Sequence, residues 1–410
     1  MELTAEILKK TVEQDAAIRR VQKLMPVGGP GEKIFPPTYP GERREDPPRH
    51  IFEMRRIDVK ENGKDINKSV NCVLIDSVQS QANRLEEALL QAIRAERIAM
   101  PYLVVDFSEQ KGPDGSDVSD LGEVTSLDAP HRVFDAIIRD SELNGVKFTE
   151  TDQYKQLLLT KPTNALYLFE ISPTSLLFGV WNSTGEGGGL GTKFTRNIVS
   201  EIIGVNAVEG QKAAVRIDPL GIRASARVVG GALDWVVASG TKGEKSVKPS
   251  EVNHSNVISN IINGGVTIEY AQHTAVITCA GLRRLKFPGK TVKDESAGRA
   301  VLAAMALVAL TQQDQAGYAL RSRCNLVCRE VAPFEIVHAD GSTKEFSITP
   351  DEAIDLFNET VRKVRDAGFR WNTDPIRLKP QARLVELVAL SRAQALAGQK
   401  EDDGAAKNPH

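Results

Sequence analysis

The stretch FGVWNSTGEGGGLGTKFTRNIVSEIIG, Phe178 to Gly204, decides how the chain is read. Four of the five residues from Gly187 to Gly191 are glycine, namely Gly187, Gly188, Gly189 and Gly191. Each glycine loses more backbone freedom on folding than any other residue, so the loop must require bare backbone. TSLLFGVW, Thr174 to Trp181, reads as a strand running into it. Beyond it, Phe194, Ile198 and Ile202 recur every four residues, which predicts one apolar face of a helix that Gly204 ends. On that reading the loop opens a helix N-terminus, with unpaired N–H groups and the positive end of the macrodipole. Lys193 and Arg196 on a first helical turn oppose that dipole unless an anion lies between them. A tight turn with two solvated cations is the simpler alternative.

Two nucleotide motifs are tested against the loop. The P-loop G-x-x-x-x-G-K-[ST] fails, because Thr192 separates Gly191 from Lys193 and Phe194 stands where a magnesium-binding hydroxyl belongs. The dinucleotide pattern G-x-G-x-x-G fails because position 192 is threonine. No G-x-S-x-G elbow or H-E-x-x-H occurs, and the six histidines form no ligand spacing. The expectation is a protein that is not an enzyme and needs no cofactor or metal.

Working outward, the chain has 410 residues, 41% hydrophobic and 26% charged, with a formal net charge of −2. This is the composition of a globular protein with a sizeable core. Near-neutral charge does not exclude nucleic acid, because recognition depends on local patches. Cys72, Cys279, Cys324 and Cys328 form no C-x-x-C pair and read as reduced thiols. MELTAEILKK lacks an apolar signal core, and the apolar run Ala300 to Leu310 is too short to cross a bilayer, so a cytoplasmic protein without membrane contact is expected.

Thr4 to Leu24 reads as a charged amphipathic helix, followed by a proline-rich arm from Lys33 to His50. The expected division is residues 1–50 as helix and arm, 51–398 as one core with insertions, and 399–410 as a disordered tail. NCVLIDS and PYLVVDF read as strands. Ser77 can cap a helix that turns Val78, Ala82, Leu85, Leu89 and Ile93 inward. DAPHRVFDAIIRDSELNG reads as a helix stopped near Gly145. Thr241 to Asn256 is a polar excursion, and Ser296 to Leu310 is a helix apolar all round, hence buried. Thr349-Pro350-Asp351-Glu352 is a capping box that starts a helix ending at Gly368, and a last helix spans about Gln381 to Ala397. Strands and helices mix without βαβ alternation, so the fold class is α+β with a largely antiparallel sheet.

Several polar groups can meet a phosphate chain. Gly281 to Ala300 carries Arg283, Arg284, Lys286, Lys290, Lys293 and Arg299 against Asp294 and Glu295. A solvated charged face is the plainer reading of that run. Phe287 within it can stack on a base or enter the core. Arg216 begins RIDPLGI, and arginine forks grip phosphate oxygens. His131 and Arg132 follow Pro130, where the histidine can touch phosphate, carry a proton or simply cap. Gln79, Gln81, Asn83 and Arg84 cluster after Ser77 and offer amides on what reads as one exposed face.

IDSVQSQANRLEEALL, LDAPHRVFDAIIRDS, the Phe178–Gly204 stretch, RIDPLGI and GLRRLKFP occur in this order. As an ordered set they resemble the backbone (RAMP) subunit family of the type I-G, formerly I-U, CRISPR Cascade complex, over about Ile51 to Ala397. The resemblance implies an RRM-like (ferredoxin-like) palm with helical and hairpin insertions, one of them thumb-like within 241–256. It implies copies lined head to tail along a guide (crRNA) RNA, support for target DNA recognition, and contact with a large subunit and a guide-processing or capping subunit. Catalysis would belong to those partners. RNA-binding roles then fall to Gln79, Asn83, Arg84, His131, Arg132, Gly187, Gly188, Gly189, Lys193, Arg196, Arg216, Arg283, Arg284 and Lys286. Such contacts ignore sequence because a guide varies. A nucleotide-dependent enzyme using Gly187–Gly191 and a metal-independent ribonuclease using His131 are the alternatives.

Overall fold

The computed structural model describes residues 1–43, 46–61, 64–182, 191–211, 215–232, 234–241, 243–258 and 264–397. The main sheet is curled and antiparallel. Across it the strands run Tyr318–Arg321, Cys324–Glu330, Ala17–Pro26, Tyr270–Thr278, Ile198–Val205, Lys64–Asp76 and Phe52–Glu61. Phe334–Val337 pairs with the start of Ala17–Pro26, and Thr343–Phe346 pairs with it in turn. Taken in chain order, Ala17–Pro26, Ile198–Val205, Tyr270–Thr278 and Cys324–Glu330 lie fourth-first-third-second across the sheet. That is the order of a ferredoxin-like palm, so the fold is α+β and consistent with an RRM-like core carrying insertions.

Helices cover one face. Val292–Ala316 is buried along nearly all its length, and its run of alanines lets neighbouring helices approach closely. Ala5–Gln14, Val78–Arg94 and Pro350–Asp366 pack around it. Phe169, Phe287, Phe369 and Trp371 close one end, with ring centroids 5.1–5.3 Å from Phe169. Each such side chain contributes about 1.5–3 kcal/mol by leaving water. The expected caps are present. The Ser77 hydroxyl accepts from Ser80 N–H, and Thr349 and Glu352 form a reciprocal capping box. Gly368 takes φ +75 at the helix end, where a side chain would be strained.

A second, five-stranded sheet joins Glu123–Thr125, Leu103–Asp106, Ile376–Pro380, Ser141–Leu143 and Val146–Lys147, with Ile376–Pro380 parallel to Leu103–Asp106. The helix Ala382–Ala397 follows it. Between Val205 and Tyr270 the chain leaves the sheet as a nested hairpin arm. Val208–Glu209 pairs with Val266–Thr267, Val215–Arg216 with Val257–Ile258, and Val228–Val229 with Val236–Val237. The expected excursion 241–256 is only the returning part of this larger arm.

Four expectations are corrected. Thr4–Leu24 is not one helix: the helix stops at Gln14, and Ala17–Pro26 is a central strand. Its inward side includes Arg20 and Gln22, and those polar residues hide the alternation. Residues 1–26 therefore belong to the core rather than to a separate N-terminal unit. Second, Ile198–Val205 is a strand, not a helix. A four-residue apolar spacing satisfies a period of 2 as well as 3.6, so it cannot separate the two. Third, Pro173–Phe178 is a short helix where a strand was expected, with only Val180–Trp181 extended. Fourth, the helix expected over Asp128–Gly145 is a 3₁₀ turn at Arg132–Phe134, a single turn at Ala136–Arg139 and a hairpin turned by Asn144 and Gly145, both at positive φ.

Candidate nucleic-acid interface

The glycine-rich loop leads into the strand Lys193–Phe194, so no helix dipole stands behind it. Gly187, Gly188 and Gly189 lie outside the described residues. Gly191 is described, and its bareness has a local cause. A Cβ there would collide with the Asn182 carbonyl, where the ribbon Val180–Trp181 against Lys193–Phe194 closes. Asn182 N–H donates to Thr192 O at 2.8 Å just beyond. At the other end Gly179 has φ +80, and a Cβ would lie 3.0 Å from Phe194 O and Arg196 N.

This ribbon forms one wall of a cleft of about 520 Å³. The first turns of Val78–Arg94 and the Pro130–Arg132 turn form the others. Six expected residues meet there: Gln79, Asn83, His131, Arg132, Lys193 and Arg196. Gln79 and Asn83 are four apart on the helix and both exposed. Gln81 does not share their face. It is buried, donates to Asp76 at 2.7 Å and accepts from Ser200 at 2.9 Å.

Arg132 is the buried back wall. Its fork donates twice to Glu86 at 2.6 Å, and Nη1 donates to Gly179 O at 2.8 Å. Its backbone sits at φ +51, a strained conformation for arginine that these bonds hold in place. Burial pushes the Glu86 carboxyl up to about 7, with Arg132 pulling against it. Asp135 is engaged beneath, accepting from the N–H groups of His131 and Ile137 at 3.0 Å.

Arg196 is half-buried beside these groups. Its Nε donates to Phe178 O at 3.2 Å. Burial first, and then the adjacent Arg132, pull its pKa below the usual arginine value. Lys193 is exposed, with its ammonium 5.3 Å from the centre of the Trp181 ring. Among the described residues no carboxylate forms a salt bridge with Lys193 or Arg196. Among the described residues the cleft therefore holds Arg132 paired with Glu86, Arg196 beside that pair and partly balanced by the same carboxylate, and Lys193 with no salt bridge.

The other expected residues lie elsewhere. Arg84 bonds Asp76 and the Leu320 carbonyl, lining a different hollow. Arg283 donates to the carbonyls of Val12 and Asp15, closing the C-terminal end of the first helix. Arg284 and Lys286 are exposed, the latter 3.3 Å from Glu295. Phe287 is core. The Arg216 side chain lies outside the described residues. Sequence reading missed Trp181 and Glu86 as members of the site. Trp181 was legible as an aromatic at the mouth of the loop, whereas Glu86 looked like any helix carboxylate.

The fold and cleft define a ferredoxin-like protein with a cationic groove beside its sheet. Residues 18–209, a little under half of the chain, match the family described as CRISPR-associated protein GSU0053. Every residue of the cleft falls within that match, so the segment is similar to a CRISPR-associated family. No curated protein matches the chain. Among the described residues no helix is long and apolar enough to cross a membrane, and no cluster of His, Cys, Asp and Glu is suited to a metal ion.

Proposed function

We propose that this chain is a non-catalytic backbone subunit of a CRISPR Cascade complex of the I-G kind, coating guide RNA through contacts that ignore sequence. The observation that carries the reading is the pair of cations in the cleft, Lys193 and Arg196, that make no salt bridge among the described residues. An arginine half out of water beside another arginine is costly alone and favourable with an anion between them. A phosphate of a polynucleotide supplies that anion, and Gln79 and Asn83 offer uncharged hydrogen bonds beside it. Copies would stack head to tail as an open filament whose length the RNA limits. The arm between Val205 and Tyr270 takes the thumb role, with target DNA and the large and capping subunits as further partners.

The test is co-expression with a guide. RNA should co-purify with the protein, and size-exclusion mass should rise stepwise. Replacing Lys193 and Arg196 with alanine should weaken binding equally for all sequences. It should also lower the slope of log affinity against log salt by about 0.7 for each phosphate that is no longer neutralised. Protein that emerges free of nucleic acid from cells rich in guide would refute the reading.

The nucleotide-enzyme alternative requires a helix after the loop, and a strand follows instead. A ribonuclease with His131 as proton carrier is favoured by one observation, the place of His131 in the cleft. Cleavage of labelled RNA that disappears in His131→Ala would select it.

A further inference from the structure

An RRM-like domain ordinarily stacks bases on aromatic side chains of the open sheet face. Here the residues alternating toward that face on the central strands are Arg19, Val21 and Lys23, Val199 and Glu201, and Gln272, Thr274 and Val276. Tyr270 shares that side but is buried, with the Lys23 ammonium 4.6 Å from its ring centre. Among the described residues of these central strands the open face therefore offers no exposed ring. Among the described residues the only exposed phenylalanine, tyrosine or tryptophan side chains are Trp181 and Trp235, at 47% and 37%. Trp235 lies in the arm with its ring edge-on to His254, whereas Trp181 lines the cleft together with Lys193, Arg196 and the amides of Gln79 and Asn83.

We infer that the cleft is a single-nucleotide subsite, in which Trp181 stacks on one base of the bound strand while Lys193 and Arg196 hold the adjoining phosphate. The inference rests on the RNA-binding reading above and adds to it a base-dependent contact outside the sheet. The Lys193 ammonium over the Trp181 ring fixes the relation between the stacking surface and the charge. Gln79 and Asn83 suit such a site because an amide carries both donor and acceptor. By turning over, it meets the edge of any base, so stacking and hydrogen bonding tolerate a variable guide.

The experiment compares wild type, Trp181→Ala and Trp181→Phe for binding a short single-stranded RNA of mixed sequence and the same strand made abasic. Trp181→Ala should weaken binding of the intact strand about tenfold. Trp181→Phe should keep most of the affinity, and the abasic strand should bind wild type and Trp181→Ala alike. Quenching of tryptophan fluorescence by the intact strand should vanish in Trp181→Phe. Equal weakening of intact and abasic strands would mean that Trp181 acts only through Lys193, and would overturn the subsite. So would unchanged binding by Trp181→Ala while Lys193→Ala and Arg196→Ala bind poorly, which leaves the proposed function standing. No RNA binding by wild type at low salt would remove both.

Discussion

Arg20 and Arg196 are two arginines in polar regions of one molecule, and their surroundings are opposite. Arg20 is 2% exposed, and its fork engages the Asp314 carboxylate. Asp314 accepts from Tyr318, Tyr318 bonds His273 at 3.0 Å, and His273 bonds Ser200 at 2.7 Å. From there Ser200 reaches Gln81, Asp76 and Arg84. Charges in this network are matched inside the protein. Arg196 instead lies beside Arg132 and makes no salt bridge among the described residues; the nearby Glu86 carboxylate, which bonds Arg132, only partly offsets burial and the like charge. The difference separates charges matched within the fold from charges that make no salt bridge among the described residues.

The strongest way to break that contrast is at the buried Arg132–Glu86 pair behind the cleft. Glu86→Ala leaves Arg132 buried without its carboxylate, and a loss of about 3–5 kcal/mol is expected in urea unfolding. A loss under about 1 kcal/mol would mean that Arg132 is freely hydrated, and the two regions would no longer differ in kind.

The next effect is in pH. Burial, with Arg20 nearby, depresses the pKa of His273 from 6.5 to about 3. Below pH 6.5 the unfolded chain takes up a proton that the native chain refuses. The contribution of neutral His273 is thus complete above 6.5 and is lost as pH falls toward 3, by up to about 1.4 kcal/mol per pH unit. Subtracting the stability curve of His273→Gln from that of wild type isolates this slope. A flat difference between pH 6 and 4 would contradict a buried neutral imidazole.

The smallest effects belong to the cleft and sharpen the contrast best. Arg196→Met keeps much of the length of the side chain and removes a charge that repels Arg132. Thermal stability should stay level or rise, by less than about 1 kcal/mol, while RNA affinity falls. Lys193→Ala should move stability by no more than about 0.5 kcal/mol. A clear destabilisation by either change would show that these cations support the native chain by itself.

Much of the architecture was legible. The helices starting at Val78 and Pro350 announced themselves through Ser77 and through Thr349 with Glu352, because caps are local chemistry. The buried helix Val292–Ala316 was legible from its apolar surface. The strand Ile198–Val205 was not, since its spacing suits either period, and Arg20 and Gln22 masked the strand that contains them. The helix-dipole argument for the glycine loop fell with the first of these. The cations it concerned stay together because they are three residues apart, and the pairing of Val180–Trp181 with Lys193–Phe194 sets Trp181 beside Lys193.

Taken alone, the sequence determined the α+β class and the capped helices, because each depends on residues close in the chain, and it supplied a list of polar groups that the fold then divides. Only the tertiary structure decided which of those groups act together. Arg132 and Glu86 are 46 residues apart, and Arg283 meets carbonyls 268 and 271 residues away. Whether a cation is paired or open depends on partners brought in by folding, and no local pattern records them.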